Sequence, residues 1–292
     1  EKEWLKTRSS YTWKGTRYRK KTKGGSYKTI RELFPPTAAT TKTLHYKQNN
    51  VYDFAWFADK RFIVNHDTCA LPSGKIIDVY AFCTPAAQKR WNNSIAYAKN
   101  ALRFYSAAMG GYPFSTFSIA EVAPVMKGSY PTIAALSAPP KGQLAEQAIV
   151  HAAGYNWFYG TLASNGREHS WMAEGMNSFY EKRYAGAEEN NASKPFPSSA
   201  FKKIAFESVA FVKKDQPVEL PAIAFSPANY YLSASYKASQ WMQVLETSLG
   251  KALFDSCMHV YYNQWQFKHP YPEDFKNVME SVSGKNMDSI FH

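Results

Sequence analysis

Apolar residues recur every three or four positions in LAEQAIVHAAGYNWFYG (144–160), which predicts a buried amphipathic helix. His151 stands in its middle. The same period predicts a helix within 84–110, closed by Gly110–Gly111, and another over about 171–185. Further helices are predicted around 199–213, 236–248, 251–266 and 272–280. Nearer the start the period is two. VYDFAWFADKRFIVNHD (51–67) and GKIIDVYAFC (74–83) alternate apolar and polar residues about the turn LPSGK, and read as strands. A third strand is read in FSTFSIAEV (114–122), with a loop around Lys127–Pro131 after it. Strands followed by helices is the order of an α+β domain. No internal repeat is present.

Composition changes this picture little. Hydrophobic residues at 45% and charged residues at 20% suit a globular chain with a full core, and no apolar run nears the ~18 residues of a membrane span. The +12 net charge is uneven, for residues 6–28 carry nine lysines and arginines and no acid. With Tyr11, Trp13, Tyr18 and Tyr27 interleaved, that run has the make-up of a nucleic-acid arm. It reads better as a solvated lead-in, and no nucleic-acid partner is expected. Residues 1–43 are accordingly read as a basic lead-in and linker, 44–86 as a strand-rich connecting segment, and 87–292 as the main domain. The chain starts at Glu1 without a methionine or a signal segment, so it is expected to be a processed piece. Cys69, Cys83 and Cys257 are too few for a disulfide framework, match no zinc spacing and are expected as buried free thiols.

Histidines at i and i+4 share a helix face and can grip one zinc ion, while a glutamate beside the first deprotonates the metal-bound water. The helix at 144–160 has this frame without its chemistry: His151 is followed by Ala152, and Tyr155 stands one turn on. His45, His66, His169, His259 and His269 lack ligand spacing and are read as surface or packing residues; His292 is terminal. No G-x-S-x-G elbow marks a serine nucleophile.

Several ordered stretches carry a resemblance. They are DFAWFADKRF (53–62), YPFSTFSIAEV (112–122), YPTIAAL (130–136), HAAGYNWFYGTLASNGREHSWMAEGMNSFYEKRY (151–184), NYYLSASYKASQWMQVLETSLG (229–250) and KHPYPEDFKNVMESVSGKN (268–286). Together, over about 43–292, the chain resembles the zinc-dependent aminopeptidases of the gluzincin group, the alanyl aminopeptidase-like metallopeptidases, and most of all their Bacteroidetes-type members. The resemblance implies a thermolysin-like α+β domain, strand-rich first and helical after, with most of that family's N-terminal β domain missing from this chain. It puts His151 at the first metal position, Tyr155 at the second and Glu174 at the third, with Ala152 at the general base. The glutamate that binds a substrate's amino terminus is matched by Ser129, and the oxyanion tyrosine by Ser235, Tyr236 falling one residue, about 100° of helix, too late. Glu181 matches a glutamate that supports a zinc-bound histidine and is expected here to pair with Tyr155 or a nearby base. The Tyr155 hydroxyl is expected to donate to Glu174, with His151 completing the cluster, and the two helices to pack side by side.

The resemblance thus implies a catalytically inactive aminopeptidase-like protein, a pseudo-peptidase that binds a peptide or protein in the inherited cleft without a cofactor. The alternative is an active zinc metallopeptidase with an altered metal site. A bacterial protein exported to the periplasm, outer membrane or medium is implied too.

Overall fold

The computed structural model describes residues 14–21, 24–34, 38–137, 142–189 and 196–291. Two strands, β1 (Lys14–Lys21) and β2 (Tyr27–Phe34), pair antiparallel in a separate ribbon, Lys14 opposite Phe34. The basic lead-in was expected to have no such order. The hydrogen-bond ladder of a hairpin does not need an apolar face, and a run of charges hides the alternation by which strands are read.

A stretch without regular structure leads from residue 38 to the second sheet. Its residues 51–57 alternate between partly buried and exposed as a strand would, yet form no ladder. The strand expected over 51–67 therefore begins only at β3 (Ile63–Ala70). The turn at Leu71–Lys75 closes with the Gly74 and Leu71 N–H groups donating to Leu71 and Lys75 carbonyls, and β4 (Ile76–Cys83) returns antiparallel. Helix α1 (Ser94–Ala108) crosses to β5 (Thr116–Glu121), parallel to β4. Where a loop was expected, β6 (Gly128–Tyr130) and β7 (Ile133–Leu136) form a tight hairpin, with Thr132 at φ 69° in the turn. The five strands run in the order β3-β4-β5-β7-β6, with β7 parallel to β5 and β6 an antiparallel edge.

Helices make up the rest: α2 (Gln143–Phe158), α3 (Ser170–Glu189), α4 (Pro197–Phe211), α5 (Ala238–Leu249), α6 (Lys251–Trp265), α7 (Pro272–Ser283) and α8 (Asp288–Phe291). Proline opens α4 and α7, where its missing N–H costs nothing. Before α5 the chain turns as a π-helix over Tyr230–Lys237, a form common at functional sites. The mixed sheet with a helical C-terminal part is the α+β arrangement expected. No described helix is long and apolar enough to cross a membrane.

The core lies where α1, α2 and α3 meet. Tyr105, Trp157, Phe158, Phe179 and Tyr180 are fully buried there, and the Tyr105 and Trp157 rings stack at 5.2 Å. Each contributes roughly 1.5–3 kcal/mol of apolar burial. Helices α2 and α3 approach closely because Gly154 has no side chain: a Cβ there would sit 2.0 Å from Asn177 Oδ1. On its other side α3 meets α5 at Gly175, where a Cβ would lie 2.4 Å from that of Ala238. Cys69, Cys83 and Cys257 are free and buried, as expected.

Candidate functional site

The residues of interest face a cleft of about 960 Å³ that opens into a second lobe of about 470 Å³. His151, Tyr155, Glu174, Tyr230 and Tyr231 border both lobes. Helix α2 brings His151 and Tyr155 to the floor from one face, their rings edge to face at 5.0 Å. It can do so because its other faces are packed: Ile149, Val150, Ala153, Trp157 and Phe158 are buried. Helix α3 supplies Glu174 and Glu181 alongside, tied to α2 by Asn177 Nδ2 donating to the His151 carbonyl at 2.8 Å. The two helices lie side by side, as expected.

His151 Nδ1 donates to Glu181 Oε2 at 2.7 Å, and Gln147 Nε2 donates to the other oxygen at 2.6 Å. Glu181 is almost wholly buried, its side chain 8% exposed. Burial opposes charge on the imidazole, but the hydrogen bond and charge of Glu181, with Glu174 behind, outweigh it and raise the His151 pKa. Burial would likewise raise Glu181; His151 first, then Lys202 and Gln147, pull its pKa below the usual value instead. Both shifts favour an imidazolium–carboxylate pair. His151 thus pairs with Glu181 rather than with the expected Glu174 and Tyr155.

Glu174 keeps phenols for company. Tyr230, from the π-helical turn, donates to its Oε1 at 3.3 Å. Burial first and Glu174 second push the Tyr230 pKa up to about 12. Tyr155 is held well above an ordinary phenol by burial, then by the nearby charge of Glu174. The second phenol at this carboxylate was missed, because Tyr230 lies 56 residues beyond Glu174 and nothing in its local pattern marks it.

Ala152 and Ala173 line the main lobe as methyl groups. Ser129, on edge strand β6, lines the same lobe. Ser235 borders the second lobe, buried, with its hydroxyl 2.7 Å from that of Ser178. Tyr236 lines neither lobe; its ring packs at 5.6 Å against Phe206 of α4. His269, read as a surface or packing residue, joins the site after all, lining the main lobe with Tyr271, Lys127, Arg167, Tyr52 and Tyr159. Of the other histidines, His66 pairs with Asp78 at 2.6 Å and His169 with Glu219, while His259 meets the Ala107 carbonyl at 3.2 Å. Among the described residues no three or more His, Cys, Asp and Glu side chains converge as metal ligands would.

Comparison with known proteins places this geometry. The aligned part of leucine aminopeptidase 2 from Yarrowia lipolytica is 26% identical over 130 residues, 41% of this chain and 20% of that protein. A leukotriene A-4 hydrolase homolog from Botryotinia fuckeliana is 26% identical over 153 residues, 49% of this chain and 24% of that protein. The chain thus matches less than a quarter of either relative's length. The M1 zinc metallopeptidase from Deinococcus radiodurans shares the fold with a TM-score of 0.61 at 13% identity, over 94% of this chain and 57% of that one. Legionella pneumophila aminopeptidase A does so at 0.63 and 13%, over 97% of this chain and 32% of that one. The sequence pattern of the Peptidase family M1 domain matches residues 134–292, more than half of the chain, which therefore belongs to peptidase family M1.

Proposed function

We propose that this member of the family is catalytically inactive and binds a peptide or protein segment in the cleft above His151 and Glu174. The observation that carries the reading is the donor set: one imidazole, one carboxylate and two phenols with raised pKa values meet there. Structural and catalytic zinc sites use three or four protein ligands. A neutral phenol is a poor substitute, since ligands must shed their protons. A carboxylate behind an imidazole also backs ligating histidines, so the His151–Glu181 pair does not by itself argue either way. The side chains do not fit a zinc ion. Ala152 has no group to take a proton from water, and Ser235 is engaged with Ser178.

The cleft itself favours binding. It is large enough for a few residues of peptide and has a wall of Tyr52, Tyr155, Tyr159, Tyr230, Tyr231 and Tyr271. Aromatic walls with hydroxyl edges bury apolar side chains and still bond to a peptide backbone. Export from a bacterial cytoplasm belongs to the same proposal and is carried by the resemblance alone; cell fractionation tests it.

Metal analysis of purified protein, paired with an aminopeptidase assay and a peptide-binding titration, tests the reading. It expects substoichiometric zinc, no chelator-sensitive turnover and saturable peptide binding. Near-stoichiometric zinc with chelator-sensitive turnover overturns it in favour of an active metallopeptidase.

A further inference from the structure

The charged groups around the cleft are not equally free. Glu181 is paired with His151 and Gln147, and Glu174 is met by Tyr230 and Tyr155. Beyond the rim, Glu219 is held by His169 and the Trp171 indole. The cations are differently placed. Lys127 and Arg167 are exposed and line the main lobe, and neither side chain has a hydrogen bond or ion pair among the described residues.

Arg167 sits on a wall built from the loop that enters α3. Ser164, Asn165, Gly166, Arg167 and Ser170 all line the lobe here. Ser164 is 5% exposed, and its hydroxyl has no partner among the described residues. The backbone around it is fixed at many points. His269 Nδ1 donates to the Ala163 carbonyl at 2.9 Å, with both residues at φ 55°. The Arg167 N–H donates to Asn165 Oδ1 at 3.2 Å, and its carbonyl accepts from the Ala222 N–H at 2.6 Å. Ser170 Oγ donates to the Gly166 carbonyl at 2.9 Å. A fixed backbone thus carries a guanidinium without a partner among the described residues, in the same wall as a buried hydroxyl that also has none there, at the positive end of a 20-residue helix. A guanidinium pairs with a carboxylate through two parallel N–H···O bonds, and a fixed frame lowers the cost of making them.

We infer that the loop 164–167, with the N-terminal end of α3, is an anion subsite that holds a carboxylate of the bound peptide, Arg167 being its donor and Lys127 adding charge. This rests on the reading that the cleft binds peptide. The carboxylate could be the peptide's C-terminus or an acidic side chain; both offer two oxygens to the fork. Glu174 lies one helical turn inside and repels an anion from the centre, which leaves the loop end as the place for it.

Fluorescence anisotropy with four labelled peptides of one apolar sequence tests the inference. The first has a free C-terminus, the second is amidated, the third is amidated with one glutamate and the fourth is amidated with one lysine. The free-acid or the glutamate peptide should bind about tenfold tighter than the neutral amide, the value of one good charge-assisted bond. Whichever does so identifies the source of the carboxylate. The advantage should shrink with added salt and vanish in Arg167→Gln, with Arg167→Lys retaining part of it. Melting curves of both variants that match the parent exclude misfolding as the cause. Equal binding of all four peptides overturns the anion subsite and leaves peptide binding intact. Preference for the lysine peptide overturns it in favour of amine recognition by Glu174. No binding of any peptide overturns the underlying reading as well.

Discussion

Replacing Gly154 by alanine tests the joint between the two helices that carry the site. In an isolated helix this change would stabilise by roughly 0.8–1 kcal/mol, because alanine loses less backbone freedom. Here the new methyl would lie 2.0 Å from Asn177 Oδ1 and 2.5 Å from the Tyr105 hydroxyl. Neither atom can simply swing away. Tyr105 donates to Asn177 Oδ1 at 3.0 Å, Asn177 donates onward to the His151 carbonyl at 2.8 Å, and Tyr105 and Asn177 are fully buried. Overpacking of a core costs about 1–3 kcal/mol, and a buried polar group stripped of its partner about 1–3 kcal/mol more. Set against the propensity gain, a net loss of about 1–5 kcal/mol follows, a fall in melting temperature on the order of 2–8 °C at an unfolding entropy of roughly 0.6 kcal/mol/K for a chain of this size. Gly186→Ala on α3 provides the control, for nothing lies within 4 Å of its added methyl. That variant should melt at the same temperature or slightly higher, by up to about 1 kcal/mol. Circular dichroism melts of the two variants and the parent read the difference. A Gly154→Ala protein as stable as the Gly186→Ala protein would refute the close approach of α2 and α3.

Other outcomes follow from the cleft. The raised His151 pKa contributes stability that is complete below an unfolded histidine's value near 6.5 and is lost as pH rises through the folded value. The stability difference between parent and His151→Gln, measured by urea titration, should therefore shrink from pH 6 to pH 9. A gap that widens over this range has the wrong sign. Glu181 acts at the other end: its depressed pKa contributes above the unfolded value near 4.3 and is lost as pH falls through the folded one. Tyr230→Phe removes a donor from the half-buried Glu174 and should cost about 1 kcal/mol, with Tyr155→Phe in the same direction; no loss in either would show that water satisfies this carboxylate. Tyr155→His with Ala152→Glu should restore zinc uptake in metal analysis without appreciable aminopeptidase turnover, because Ser129 and Ser235 still stand in place of the groups that chemistry would need. Full turnover in that double variant would contradict the roles assigned to those two serines.

The sequence by itself determined the elements whose signals are long. Six of the seven predicted helices lie close to where the 3.6-residue period puts them, the one read in 84–110 starting only at Ser94, because each runs for a dozen or more residues. The family resemblance also pointed to His151, Glu174 and Glu181, and the structure brings all three to the second lobe of the cleft. Short or unusual backbone escaped the sequence reading. Strands β6 and β7 are three and four residues long, too few to show a period, and the π-helical turn at Tyr230–Lys237 shifts the spacing on which a helical reading depends. Residues 51–57 show the converse: a strand's alternation is present, but a strand also needs a neighbour to accept its hydrogen bonds, and none is there among the described residues. Only the tertiary structure decided who partners whom in the cleft. Glu181 lies 30 residues from His151, Tyr230 lies 56 from Glu174, and His269 lies 106 from Ala163. Hydrogen bonds and charges act over a few ångströms of space, and their strength depends on how much water the fold leaves between them, a quantity no stretch of sequence contains.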